Sequence, residues 1–212
     1  MIKNCIGIFS NPIAVINYPG FISTLNNEQI RSGLGEIFKH ALIADADYWD
    51  NLKKLNQESE NDLIKMIAVS VEIKKNIINL DPKDISIRKI LNCGHTIGHA
   101  LESYYLMKNK IIQHGDAVAA GLIIESIIAN KLEKQNSDVL NEIIKTLFAI
   151  FSKIIINEND FNQIIALMTF DKKNSSNNIN FSFIEKIGKA SYDNYIDNIE
   201  IIKESMNQYN QL

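Results

Sequence analysis

The stretch that decides the reading is Asp84-Ile-Ser-Ile-Arg88-Lys-Ile-Leu-Asn92-Cys-Gly-His95-Thr-Ile-Gly-His99-Ala-Leu-Glu102. Its pattern predicts a helix over about 85–106. On such a helix Asp84, Arg88, Asn92, His95 and His99 fall within about 80° of one another. A carboxylate, a guanidinium, an amide and two imidazoles in one stripe read as the wall of a cleft for a polar, anionic ligand. Composition adds weight. Arg31 and Arg88 are the only arginines, and three of the four histidines (His40, His95, His99, His114) fall between positions 95 and 114. On this reading Gly94 and Gly98 sit mid-helix, each costing about 1 kcal/mol against Ala, which implies a backbone or ligand close by. The plainer alternative, a surface helix with two idle histidines, leaves the scarce arginine unexplained. The His95-x-x-x-His99 spacing also suits a zinc-protease helix, but Thr96 stands where that chemistry needs Glu.

Two flanking segments extend the pattern. Upstream, Gly33-Leu-Gly-Glu36-Ile-Phe-Lys39-His40 sets Glu36 and Lys39 on one helix face. Alone, such a pair is a solvated contact worth about 0.2–0.5 kcal/mol. Here Gly33 and Gly35 flank the acid inside an apolar helix, which points to a buried carboxylate that must be paired or metal-bound. Downstream, Gln113-His114-Gly-Asp-Ala-Val-Ala-Ala-Gly121 puts His114 where a helix begins. A capping role would account for that histidine by itself. Together, Glu36, His95 and His114 supply one carboxylate and two imidazoles, a ligand set for catalytic zinc that leaves coordination positions open.

The rest of the chain reads as mainly α, in one domain. Asn26 or Asn27 caps a helix through Leu42, and Ser59 with Asp62 opens another that ends near Asp81-Pro82. Further helices are predicted over about 114–131, 137–152 and 158–168, with a last one from about Tyr195. Short β segments are expected near residues 14–18 and 180–184, and a polar loop over 171–178.

The 212 residues are 46% hydrophobic, enough for a buried core, and the net charge of −3 gives no reason to expect nucleic acid or an anionic membrane as partner. No apolar run approaches the roughly 20 residues of a membrane span. Cys5 and Cys93 are the only cysteines, far apart, which fits a cytoplasmic protein without a disulfide scaffold.

The segments 33–39, 88–102 and 114–121 resemble, in order and spacing, the C-terminal domain of 3-dehydroquinate synthase. That enzyme belongs to the sugar-phosphate cyclase superfamily. The likeness runs from Lys3-Asn4 to Asp171-Lys172-Lys173. It implies a zinc enzyme (cobalt as a substitute) that uses NAD to convert 3-deoxy-arabino-heptulosonate 7-phosphate to 3-dehydroquinate and phosphate in the shikimate pathway. It further implies zinc on Glu36, His95 and His114. Lys39, Lys74, Arg88, Asn92 and His99 would then take the substrate's carboxylate, phosphate and hydroxyls. Asn4, Lys172 and Lys173 match further substrate contacts, and Lys3 and Thr24 nucleotide contacts. Departures from the family pattern are Asp84 and Asp116 for Glu, Gly35 for Ala, Cys93 for an aliphatic residue and His40 for an aromatic one; none removes a ligand.

The family also carries an N-terminal nucleotide-binding domain. Here no Gly-rich turn follows a strand and no βαβ unit occurs. Residues 1–25 are therefore expected to be a remnant of the domain junction and 26–212 the helical metal- and substrate-binding domain, inactive without a separate NAD-binding half. Exposed apolar surface near 1–25 and 180–184 is expected, and with it a homo-oligomer. Another sugar-phosphate cyclase activity, or a non-catalytic metal-binding helical module, are the competing readings.

Overall fold

A computed structural model describes residues 12–56, 59–169 and 178–212. Its elements follow from local chemistry. Helix α1 (Asn27–Ala44) opens on a capping box: the Asn26 side chain accepts from the Gln29 N–H, and Gln29 Oε1 accepts from the Asn26 N–H. Asp45 ends α1 and caps α2 (Ala46–Leu52) by accepting from the Tyr48 N–H at 2.8 Å. Ser59 caps α3 (Glu60–Leu80). There follow α4 (His95–Met107), α5 (His114–Lys131), α6 (Ser137–Phe148) and α7 (Phe161–Thr169). An antiparallel hairpin of β1 (Ile179–Lys186) and β2 (Lys189–Ile196) leads to α8 (Ile199–Gln211), capped by Asn198.

The core is organised on α5. Residues 115–129 of this helix are buried without interruption, so it is enclosed on every face rather than along a stripe. Helices α1, α4, α6 and α8 and strand β1 all pack on it. Phe38, Trp49 and Phe151 meet edge-to-face beside it. Among the described residues no helix is long and apolar enough to cross a membrane.

The mainly α architecture is the expected one, but three local expectations are corrected. The helix predicted over 85–106 is broken. The buried Asp81 carboxylate accepts from the N–H groups of Ile85, Ser86 and Arg88, which folds the chain into a turn. A 3-10 segment, Ile87–Asn92, comes next. Gly94 then adopts φ +76 and starts α4 afresh, so it is not a mid-helix residue, and the five-residue polar stripe does not lie on one helix. Residues 14–18 join no strand; Tyr18 is extended, but it leads into a 3-10 turn, Pro19–Thr24. Finally, 180–184 is not an exposed edge: Phe181, Phe183 and Ile184 are buried, because β2 pairs with β1 and the helices cover it. Lys189–Ile196 was not legible as a strand since only Asn194 and Ile196 are buried along it, leaving no alternation to read. The expected apolar exposure is found at the other place, where Ile13, Val15, Ile16 and Phe21 are open to solvent.

Candidate metal centre

Three helix segments bring the candidate ligands together. Glu36 lies inside α1, while His95 and His114 are the first residues of α4 and α5. Each sits next to a glycine, and the glycines here allow close helix contact. A Cβ on Gly35 would stand 2.6 Å from Gly115 Cα, and one on Gly121 would stand 2.0 Å from the Gly94 carbonyl oxygen. Gly33, expected to share this role, faces open space.

Glu36 Oε1 lies 3.1 Å from His95 Nε2 and 3.5 Å from His114 Nε2. Both imidazoles are oriented from behind. His95 Nδ1 is 3.1 Å from the Cys93 carbonyl oxygen, and His114 Nδ1 is 3.1 Å from Glu102 Oε2. A carbonyl and a carboxylate can only accept, so each ring carries a proton on Nδ1 and turns Nε2 toward Glu36. The other carboxylate oxygen, Oε2, accepts from Lys39 Nζ at 2.7 Å and lies 3.8 Å from His40 Nε2. Lys39 is 2% exposed, so its ammonium is held against the acid rather than in water.

The electrostatics of the group are in conflict. Burial opposes ionisation of Glu36, yet contacts with His114 and His95 and the Lys39 charge hold its carboxyl far below the usual range. Glu102 and then Glu36 push His114 up to about 9 against burial. Without a cation, the group therefore favours an extra proton on His114. Even so, Glu36 Oε1 is buried with no well-directed hydrogen bond. A divalent cation between Oε1 and the two Nε2 atoms removes the conflict. Ligands at about 2.0–2.2 Å from a tetrahedral zinc stand about 3.3 Å apart, which is close to the distances seen. These three residues fit a metal: their ligand atoms all lie within 4.8 Å of one another. Another trio, His99, Glu102 and His114, also has ligand atoms within 4.8 Å of one another. In it, though, Glu102 already faces His114 Nδ1.

Of the other predicted residues, His99 and Lys74 lie near this centre. The exposed His99 ring lies 4.9 Å, centroid to centroid, from that of His95 and stacks 6.2 Å from that of His114. Lys74 is exposed on α3, near enough to oppose protonation of Lys39 and His40. Arg88 is half-buried and donates to the Pro82 carbonyl at 3.1 Å. Asn92 is half-buried at the end of the 3-10 segment. The Thr24 hydroxyl donates to the Phe21 carbonyl on an exposed turn. Lys3, Asn4, Lys172 and Lys173 lie outside the described residues. Asp84 has φ +56 in the loop before the 3-10 segment, and Asp116 accepts from Arg31 and from the Ser152 N–H, a structural link between α5 and its neighbours.

Sequence reasoning missed two carboxylates. Glu102 lies seven residues after His95, two turns along the same face, a spacing that could have flagged it. Glu125 is the one charged residue between Asp116 and Lys131, a signal visible in the sequence.

Comparison with known proteins agrees with this architecture. The family described as 3-dehydroquinate synthase C-terminal matches residues 33–174. The 3-dehydroquinate synthase of Parabacteroides distasonis is 32% identical over 212 residues, covering 99% of this chain and 60% of that protein. That of Staphylococcus aureus strain Newman is 36% identical over 192 residues, covering 88% and 52%. The chain thus spans little more than half the length of these relatives. Two solved structures share its fold. One is 2-epi-5-epi-valiolone synthase from Streptomyces hygroscopicus subsp. jinggangensis 5008 with NAD+ and Zn2+ bound (TM-score 0.74, 19% identity, 91% of this chain and 54% of that one). The other is 2-deoxy-scyllo-inosose synthase complexed with carbaglucose-6-phosphate, NAD+ and Co2+ (TM-score 0.71, 22% identity, 90% and 54%). With residues 33–174 matched, this chain belongs to the 3-dehydroquinate synthase C-terminal family.

Proposed function

We propose that the chain supplies the metal- and substrate-binding part of a 3-dehydroquinate synthase, acting on 3-deoxy-arabino-heptulosonate 7-phosphate with release of phosphate. The observation that carries the reading is the unsatisfied Glu36 Oε1 facing the Nε2 atoms of His95 and His114. Glu36, His95 and His114 hold zinc, or cobalt in its place. When bound, the metal supplies Lewis-acid polarisation of a substrate hydroxyl, which eases loss of its proton.

The chain's own residues then bind and orient. Lys39 holds Glu36 Oε2, leaving Oε1 for the metal. Glu102 and the Cys93 carbonyl keep His114 and His95 in the Nδ1–H form, which any metal on Nε2 requires. Lys39, Lys74, Arg88, Asn92 and His99 take the carboxylate, phosphate and hydroxyls of the sugar acid; Asn4, Lys172 and Lys173 add further contacts. Cationic and imidazole side chains suit this doubly anionic substrate. NAD is held by residues outside these 212, apart from contacts at Lys3 and Thr24.

The test is reconstitution. The chain is combined with a nucleotide-binding half taken from a relative, NAD and zinc, and phosphate release from the heptulosonate is measured. The expected result is release that depends on both halves and is lost with His95→Ala. Turnover of a neutral sugar phosphate, with none of the heptulosonate, would instead assign the chain to another cyclase activity. A folded pair that turns over neither substrate would contradict the enzymatic reading.

A further inference from the structure

Glu125 is 2% exposed, in the middle of a helix whose neighbouring residues are apolar or small. A buried carboxylate is costly unless its oxygens find donors. The donors here are specific. Glu125 Oε2 accepts from the Gly94 N–H at 2.6 Å, and Oε1 from the Ile97 N–H at 3.3 Å. These belong to the start of α4, whose first N–H groups have no partner within their own helix. Gly94, the residue that should cap this helix, has no side chain to do so. The cap therefore comes from another helix; burial pushes the Glu125 carboxyl up to about 8, and the α4 N–H groups oppose that rise.

This cap sits under a metal ligand. His95 lies between the two donor residues, and its ring is fixed through the Cys93 carbonyl in the same turn. The capping carboxylate itself belongs to the helix that begins with His114, so one side chain ties together the two helices that present the imidazoles. The turn is tight: the backbone at Gly94 rests on Gly121, and a Cβ on Gly94 itself would meet Leu122 Cγ at 2.7 Å. Glu125 lies one turn along α5 from both of these contacts.

We infer that Glu125 is a positioning residue that sets the His95 ring relative to His114 by capping α4 from α5. This rests on the metal reading above. The test uses the full chain and its Glu125→Ala and Glu125→Gln variants. Zinc affinity is measured by chelator competition, and the unfolding midpoint of each metal-free chain is measured in parallel. Loss of the cap is expected to weaken zinc binding by about 10–100-fold in Glu125→Ala, as for groups that orient a metal ligand. Glu125→Gln keeps one acceptor oxygen and is expected to give an intermediate loss. A purely structural cap would lower the unfolding midpoint and leave the zinc affinity of the folded chain unchanged. Parent-like zinc affinity in both variants, or in Glu125→Gln alone if the alanine variant does not fold, overturns the inference. A parent chain that binds zinc no better than its His95→Ala variant overturns the metal reading itself, and this role with it.

Discussion

Glu102 Oε2 stands 3.1 Å from His114 Nδ1, on the side of the ring away from Glu36. The carboxylate settles the tautomer and stiffens the ring before any cation arrives. Replacing Glu102 by Ala is expected to lower zinc affinity by about 10–100-fold while the helices stay folded. Isothermal titration of the metal-free chain, with far-ultraviolet circular dichroism as the control, checks this. Unchanged affinity would remove Glu102 from the site.

Helix contact at the centre is set by absent side chains. Gly121→Ala would drive a Cβ to 2.0 Å from the Gly94 carbonyl oxygen, so backbone must move. The expected cost is about 1–3 kcal/mol or more, seen as a lower midpoint in urea. Gly33→Ala is the matched control. Nothing lies within 4 Å of the new Cβ, so better helix propensity should stabilise the chain by about 1 kcal/mol.

His40 gives a pH signature. It is buried, with Nδ1 2.7 Å from Ser70 Oγ, and burial followed by the Lys39 charge pushes it down from 6.5 to about 3. In the unfolded chain this histidine takes up a proton as pH falls through about 6.5, while the native chain refuses it until about 3. Its contribution to stability is therefore present above pH 6.5 and lost as pH falls from there toward 3. His40→Phe removes the effect. Denaturation in chelator at about pH 7.5 and about pH 5, on either side of the unfolded value, should show the parent losing more stability than the variant. An equal loss in both would contradict it.

Much of the fold was legible because helix caps are local. Asn26, Ser59 and the start at His114 could be read from a few residues each. Glu36, His95 and His114 could be picked out as a candidate set from their chemistry and their glycine neighbours. The hidden features depend on distant contacts. The break before α4 needs the Asp81 carboxylate to gather three N–H groups and Glu125 to receive the one at Gly94. A helical repeat carries no trace of either. Strand β2 was hidden for a similar reason: its partner β1 supplies the burial, and its own side chains do not alternate.

Lys39 links stability to the centre. Its buried ammonium is held by Glu36 at 2.7 Å, so desolvation, set against the Glu36 carboxylate, brings its proton affinity below that of an ordinary lysine. Lys39→Met is expected to keep the packing, free Glu36 Oε2, and reduce zinc affinity through a less well-oriented carboxylate. Zinc titration of this variant beside the parent, at a pH where both are folded, reads the effect directly. Affinity equal to or above the parent's would show that Lys39 does not orient the ligand.

The most direct test is a metal count. The chain is loaded with zinc, dialysed against metal-free buffer and assayed by elemental analysis, beside Glu36→Gln, His95→Ala, His114→Ala and the Gly33→Ala control. About one zinc per chain is expected in the parent and the control, and near-background zinc in each of the three ligand variants, all folded. Zinc retained equally in all five chains, or absent from a folded parent, would contradict a metal centre at Glu36, His95 and His114.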